Sequence, residues 1–138
     1  MYSIQGVYLK NGFKLSYFEL VLDKEEAQLE LDGLDLSDPD CWVKINPGLT
    51  GFYRVSYDSD LLKNLFANLC HPCLTSVDRM GLFDDQVAMV LCAADKFDTT
   101  GATVRILQLA KRLSQYETSI TVWRSVAAVL HQIRTLTW

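Results

Sequence analysis

The chain has 138 residues, enough for one domain or two small ones, and its size allows about 68% of the unfolded surface to be buried. Hydrophobic residues make up 49% and charged residues 22%, which disfavours collagen-like, disordered and coiled-coil classes. The longest apolar run, residues 87–94, is far shorter than the roughly 18 residues of a membrane span. We therefore expect no membrane partner.

The charge is acidic and uneven. Thirteen Lys and Arg residues against seventeen Asp and Glu residues give a net charge of -4 and a pI near 5.0, the wrong sign for a phosphate-binding surface. Nucleic acid is therefore not an expected partner. Residues 1–58 hold five basic and ten acidic side chains, and residues 59–138 hold eight and seven, so the two parts are predicted to be built differently.

The first residues make the cytoplasm the expected location. Residues 1–6 have neither the basic start nor the continuous apolar run of a secretory signal. Cys41, Cys70, Cys73 and Cys92 are interpreted as free thiols, because a chain of this length does not need disulfides to form a core.

The first part has the alternating pattern of β-strands. Predicted strands cover residues 7–9, 15–22, 27–31, 42–46 and 52–57, separated by Asn, Gly, Asp and Pro residues. Asn11-Gly12 is a tight hairpin signal, since both residues tolerate positive φ. About five short antiparallel strands in residues 1–58 predict a portion of a β-sandwich.

From Asp58 onward the apolar period becomes helical. Asp58 or Ser59 is the predicted cap of a helix through Leu69, and residues 75–78 form a capping box that opens a second helix. Further helices are predicted from Thr100 to Leu113 and from near Thr118. The predicted apolar face of the second helix consists of Met80, Phe83, Val87, Val90, Leu91 and Ala94. That of the third consists of Ile106, Leu109, Ala110 and Leu113, and that of the fourth of Ile120, Trp123, Ala127 and Leu130. Asp84 and Asp85 are predicted to point away from the second helix's apolar face.

Residues 59–138 are thus an antiparallel helical array of about four helices, and the whole chain is α+β in two segments. The last helical pattern runs to Trp138 without a stop signal, and five strands leave an open face. The expectation is a piece of a larger protein that self-associates when isolated, because it exposes apolar surface.

Local chemical motifs are weak. Cys70-His71-Pro72-Cys73 is a C-x-x-C, but it follows a predicted helix rather than a strand, so two incidental thiols are favoured over a redox site. With His71 and His131 as the only histidines, an H-E-x-x-H zinc motif is excluded, and no second ligand pair completes a zinc site with the two thiols. The acidic side chains of residues 25–40 match no calcium loop and are interpreted as a solvated surface.

Residues 42–58 read W-V-K-I-N-P-G-L-T-G-F-Y-R-V-S-Y-D, and D-R-x-x-L-x-D-D follows at residues 78–85, with E-x-x-x-x-V-W at 117–123. In this order the motifs resemble the gluzincin zinc aminopeptidases of the puromycin-sensitive and alanyl (aminopeptidase N) type, over roughly residues 7–136. Where that family usually has an Ala-Arg-x-Gly turn, this chain has residues 92–97 instead. The matched positions are Trp42, Lys44, Asn46, Gly51, Phe52, Tyr53, Arg54, Tyr57, Asp78, Arg79, Asp84, Asp85 and Trp123.

The resemblance implies the end of a β-sandwich domain followed by the start of a C-terminal helical domain. It implies that the parent enzyme uses zinc to remove N-terminal amino acids from peptides, with the sandwich supporting the catalytic domain and the helices walling the peptide chamber. None of the family's zinc, catalytic or amine-binding motifs matches here, so we predict no catalytic, cofactor or metal residue and no activity in this chain alone. The alternative is a stand-alone sandwich-plus-helices module that binds a protein partner.

The matched residues also have a structural interpretation. Trp42, Phe52, Tyr53 and Tyr57 are large enough to fill a small sandwich, and Arg54 is expected to pair with a carboxylate across the strands. Arg79 is predicted to make a charge-assisted bond that anchors the helices to the sandwich. Its expected anions are Asp60, Asp84 and Asp85.

Overall fold

The computed structural model describes residues 1–10, 13–92 and 99–136, and the chain divides into two compact units, Met1–His71 and Pro72–Trp138. A three-stranded antiparallel sheet comes first and four α-helices follow, which confirms the α+β order. The first helix belongs to the first unit, whereas the sequence period groups it with the other helices. In those residues we find no helix that combines the length and hydropathy of a membrane span.

The sheet is built around a long hairpin. Strands β1 (Tyr2–Lys10) and β2 (Lys14–Leu22) pair antiparallel from Tyr2 opposite Leu22 to Lys10 opposite Lys14. The predicted turn residues 11 and 12 lie outside the described residues. Strand β3 (Val43–Ile45) pairs with residues 6–8 on the other edge of β1, so the strand order is β2-β1-β3.

A glycine in β1 makes room for an aromatic ring from β2. Gly6 lies opposite Phe18, and a Cβ at position 6 would overlap the Phe18 ring. An aromatic ring laid over a strand glycine shields backbone that the missing side chain would leave open.

Two of the five predicted strands do not form. Residues 27–31 are almost entirely exposed and run without strand pairing through an acidic loop, so their alternation has no partner strand to match. Residues 52–57 approach the sheet with side chains instead of backbone, because the Tyr57 hydroxyl accepts from Ile45 N at 2.9 Å and the Tyr53 hydroxyl from Gln5 N at 3.4 Å. These tyrosine oxygens occupy amide donors that a ladder would otherwise use.

Helix α1 (Ser59–Ala67) begins as predicted and ends two residues before the expected Leu69. Asp58 is its N-cap, and its Oδ1 accepts from Leu61 N at 2.9 Å. The buried Asn64 side chain then donates through Nδ2 to three carbonyls of the preceding loop, those of Leu36 at 3.1 Å, Asp38 at 3.2 Å and Cys41 at 3.0 Å. One side chain thereby holds a loop without regular structure against the helix.

The second unit places α2 (Ser76–Cys92) against both α3 (Thr99–Leu113) and α4 (Ile120–Leu136). The predicted inner face of α3 is confirmed, since all four of its residues are buried. The predicted face of α4 is wrong by about one residue. Val122, Val126 and Val129 are buried there, whereas Ile120 is exposed.

The predicted face of α2 needs a similar correction. Phe83 is buried as expected, but Leu91 is exposed, Ala94 lies outside the described residues, and Asp85 is buried although it was expected to point away. A helix with neighbours on two flanks buries more than a single apolar stripe, which explains why Asp85 and Gln86 are covered.

Asn64→Ala is expected to lower the free energy of unfolding by about 2 kcal/mol, because three loop carbonyls lose their donor in a buried setting. Urea denaturation of the 138-residue chain measures the change. The neighbouring exposed Lys63→Ala is the matched control and should stay within about 0.5 kcal/mol of the original chain. Equal effects of the two substitutions would contradict the role of Asn64.

Candidate functional site

The first cluster of matched residues surrounds Asn46, at the end of β3. Asn46 has left-handed backbone angles, and its side chain is buried. Its Oδ1 accepts from Gly51 N at 2.7 Å, while its Nδ2 donates to Gly51 O at 3.0 Å and Tyr53 O at 3.5 Å. Its own amide donates to Gln5 O at 2.8 Å. We call this set of bonds the Asn46 clamp, because it fixes residues 46–53 as a closed loop on the sheet.

Gly51 and Tyr53 are required together in this clamp. A Cβ on Gly51 would overlap the Tyr53 ring, so the glycine lets the ring fold back over the loop. The ring then brings its hydroxyl to Gln5 on β1. Phe52, between these two residues, is fully exposed, which corrects the expectation that it fills the core.

The remaining matched side chains of the first unit are divided between core and surface. Trp42 is completely buried, and its ring meets that of His71 edge-on at a centroid distance of 5.3 Å. Lys44 is only 2% exposed, and its ammonium donates to Ile45 O at 2.6 Å and Asn46 O at 3.3 Å. Backbone carbonyls thus compensate the burial of this charge. Arg54 is exposed.

The second cluster surrounds a buried ion pair in the helical unit. Arg79 on α2 donates from Nε to Glu117 Oε2 and from Nη2 to Glu117 Oε1 at 3.3 Å, so the guanidinium holds both carboxylate oxygens. Its Nη1 donates to Leu74 O at 2.6 Å, and its guanidinium carbon lies 5.9 Å from the centroid of the Tyr116 ring. The predicted charge-assisted bond is present, but its partner is Glu117 rather than Asp60, Asp84 or Asp85. The expectation that this bond anchors the helices to the sandwich is wrong, because Glu117 and Leu74 lie in the same helical unit as Arg79.

Glu117 also organises the start of α4. Its Oε1 accepts from Thr118 N at 3.0 Å and Ser119 N at 2.8 Å, and its backbone carbonyl accepts from Trp123 Nε1 at 3.0 Å. Burial alone would raise the pKa of the Glu117 carboxyl, but the bonds from Arg79 and the two amides outweigh it and hold that pKa below its ordinary value. Glu117 is therefore a buried anion with four hydrogen bonds to its carboxylate.

The other matched carboxylates support α2. The predicted capping box is confirmed: Asp78 Oδ2 accepts from Thr75 N at 3.0 Å and from Thr75 Oγ1 at 2.8 Å, and Asp78 N donates to Thr75 Oγ1 at 3.3 Å. Asp84 Oδ1 accepts from Ser125 Oγ at 2.7 Å, which ties α2 to α4. Asp85 is buried.

Two pockets among the described residues offer little for catalysis. One of about 340 Å³ lies on the sheet, and its only carboxyl is that of Glu19. Another of about 100 Å³ lies among α2, α3 and α4 and has no titratable side chain in its lining. Across residues 1–10, 13–92 and 99–136 no group of three His, Cys, Asp or Glu side chains is arranged to hold a metal ion. In chemical terms, the two clusters of matched residues hold backbone in place.

Sequence reasoning missed Glu117 as the partner of Arg79, and it missed Asn64. Glu117 was visible as the first residue of E-x-x-x-x-V-W, directly before a helix, where a carboxylate accepts from free amides. Nothing in the sequence alone connects it to Arg79, 38 residues earlier. Asn64 lies inside a helical pattern and gives no comparable signal.

Arg79→Ala is expected to lower the free energy of unfolding by about 2–4 kcal/mol, because the Glu117 side chain, only 1% exposed, loses its countercharge. Chemical denaturation of the 138-residue chain measures the loss. Arg79→Lys keeps the positive charge but cannot make the bidentate bond. Its free energy of unfolding should therefore lie between those of the original chain and of Arg79→Ala. Arg124→Ala, at an exposed position of α4, is the control, and an equally small effect at residue 79 would contradict a structural ion pair.

The lowered pKa of Glu117 predicts an acid-dependent stability. A carboxyl with a depressed pKa in the folded state stabilises the fold fully above its ordinary pKa of about 4.3. That contribution is lost as the pH falls through the folded-state value. The stability difference between the chain and Glu117→Gln, measured by urea denaturation from pH 7 to pH 3, should therefore shrink in acid. The exposed Glu30→Gln should show no such trend, and a constant difference for residue 117 would contradict the prediction.

Comparison with known proteins agrees with the motifs. Residues 42–138 match the family model described as ERAP1-like C-terminal domain. Aminopeptidase M1 of Arabidopsis thaliana is 43% identical over 61 residues, which are 44% of this chain and 7% of that protein. Puromycin-sensitive aminopeptidase of Caenorhabditis elegans is 31% identical over 70 residues, 51% of this chain and 7% of that protein.

A third relative extends the match. Endoplasmic reticulum aminopeptidase 2 of Bos taurus is 34% identical over 95 residues, 67% of this chain and 9% of that protein. The chain thus spans less than a tenth of the length of these relatives, and the resemblance to aminopeptidases inferred from the motifs is confirmed. Because the family model covers well over half of the residues, the chain belongs to the ERAP1-like C-terminal domain family.

Proposed function

We propose that this chain is a noncatalytic structural part of a zinc-dependent aminopeptidase that removes N-terminal amino acids from peptides. In this proposal the strand-bearing unit is part of a β-sandwich that supports the catalytic domain, and the helices wall the peptide chamber. The partner of the chain is therefore the catalytic domain of the same polypeptide, and peptide substrates are reached only through it.

One observation carries the proposal: several polar side chains of the aminopeptidase motifs bond to structure within their own unit. Asn46 and Lys44 bond backbone around the end of β3. Arg79 bonds Glu117 and the Leu74 carbonyl. Trp123 bonds the Glu117 carbonyl. Residues selected to bind substrate or polarise a scissile bond would direct these donors into a cleft.

In the proposal, zinc is bound by the rest of the enzyme and not by this chain. The described residues lack a three-ligand cluster, and the only histidines of the chain, His71 and His131, are sixty positions apart. The described residues therefore do not fit the metal, and no catalytic step is assigned to them. The proposal includes a cytoplasmic location, which stays an expectation from the sequence, and no nucleic-acid partner, favoured by the net charge of -4.

The alternative is a stand-alone module that binds a protein partner. Its support is the exposure of apolar side chains such as Tyr2, Tyr17 and Val21 on the hairpin. The coding sequence separates the two functions: an H-E-x-x-H segment upstream in the same reading frame supports the aminopeptidase, and a reading frame of only these residues supports the module.

The purified 138-residue chain is expected to bind no stoichiometric zinc and to hydrolyse no amino-acid chromogenic amide, because its described residues contain no group of three His, Cys, Asp or Glu side chains that could hold the metal. Elemental analysis and an absorbance assay measure the two quantities. A preparation of Aminopeptidase M1 of Arabidopsis thaliana, assayed in parallel with and without a chelator, is the positive control. Stoichiometric zinc together with chelator-sensitive turnover by the chain would overturn the proposal.

A further inference from the structure

The loop fixed by the Asn46 clamp carries two apolar side chains that are exposed to solvent. Phe52 is fully exposed and Leu49 is also exposed, although both lie in a loop whose backbone is fixed to the sheet. The clamp bonds Gly51 through both its amide and its carbonyl, and it bonds the Tyr53 carbonyl, so the backbone is held on either side of Phe52. The exposed aromatic ring therefore stands on a rigid base.

This loop also contains unusual backbone. Asn46 and Leu49 have φ values of 56° and 55°, and Gly48 has a φ of 68°. A left-handed conformation is unfavourable for a branched side chain such as leucine, and such conformations persist where the surroundings enforce them. Here the enforcing contacts include the Leu49 amide, which donates to Asn46 O at 3.1 Å. The loop has left-handed backbone and exposed apolar side chains, and both are unfavourable in isolation. A contact with protein outside the described chain would offset that cost by burying the side chains.

A preorganised aromatic side chain is an efficient anchor for protein contacts. It buries a large apolar area on docking and loses little conformational entropy, since its backbone is already ordered. We propose that Phe52, with Leu49 beside it, inserts into an apolar pocket on the remainder of the aminopeptidase polypeptide, outside these 138 residues. In this proposal the Asn46 clamp holds the loop backbone so that Phe52 is oriented for docking.

The choice of occupant follows from length. The loop lies within residues 42–138, the part that matches the family model, and the aligned segments are only 7 to 9% of the relatives' lengths. Most of the surface available to such a loop in those enzymes therefore belongs to other parts of the same chain. This inference rests on the proposed function, because it needs a longer polypeptide around the segment.

Photo-cross-linking tests the occupant directly. Phe52→p-benzoyl-phenylalanine is introduced into the full-length polypeptide that carries this segment, and the cross-linked peptides are identified by mass spectrometry. We expect cross-links from position 52 to residues of the same polypeptide outside the 138-residue segment. Phe13→p-benzoyl-phenylalanine, at another exposed phenylalanine but outside the family match, is the control and should give far fewer. Cross-links to a second copy, or none, would overturn the inference.

A stability comparison gives a second, independent readout. Phe52→Ala should change the unfolding temperature of the isolated chain by less than about 1 °C, because the exposed ring has few contacts to lose. In the full-length polypeptide it should lower that temperature by about 3 °C or more. Equal small shifts in both would contradict docking. Zinc content and amide hydrolysis of the unsubstituted full-length protein report separately on the proposed function, so the two failures are distinguishable.

Discussion

The helical unit depends on one buried carboxylate. Glu117 receives Arg79 from α2 and the first amides before α4, and its backbone carbonyl receives the Trp123 indole. The beginning of α2 and the beginning of α4 are thereby bonded to one residue. Because α2 contacts both α3 and α4, the position of its first turn sets the packing of the whole unit.

The strand-bearing unit uses the same principle with a neutral side chain. Asn46 satisfies the amide and carbonyl of Gly51 as a strand partner would, and Asn64 does so for three loop carbonyls. In each case a short polar side chain replaces regular secondary structure where the chain turns too irregularly for a ladder. This explains why the aminopeptidase motifs include polar residues whose bonds are made to backbone.

The features that the sequence predicts correctly are local ones. The capping box of residues 75–78, the Asp58 cap and the inner face of α3 each depend on residues within one or two turns. The predictions are wrong where contacts between distant parts of the chain determine strand pairing or burial. The alternation in residues 52–57 is that of a strand, but Tyr53 and Tyr57 bring hydroxyls to the sheet. Asp85 is polar, yet α2 has neighbours on two sides and buries it.

The candidate site shows the same division. The sequence predicts the charge-assisted bond of Arg79, because Asp78 lies where it can cap the helix and Arg79 points to a different side by about 100° of helical rotation. Its partner could not be found from sequence, because Glu117 is 38 residues away and three nearer aspartates were equally plausible by charge. Asp78, next to Arg79 in the sequence, uses its carboxylate to accept from Thr75 in the capping box.

A buried ion pair is not in itself a stabilising choice, since apolar residues of similar volume often serve as well without the cost of desolvating two charges. Here such a replacement would leave the Leu74 carbonyl and the amides of Thr118 and Ser119 without the partners that Arg79 and Glu117 provide. The two amides lie at the start of α4, where backbone N–H groups have no partner within the helix. The pair is therefore tied to the backbone geometry around it, and this accounts for both charges.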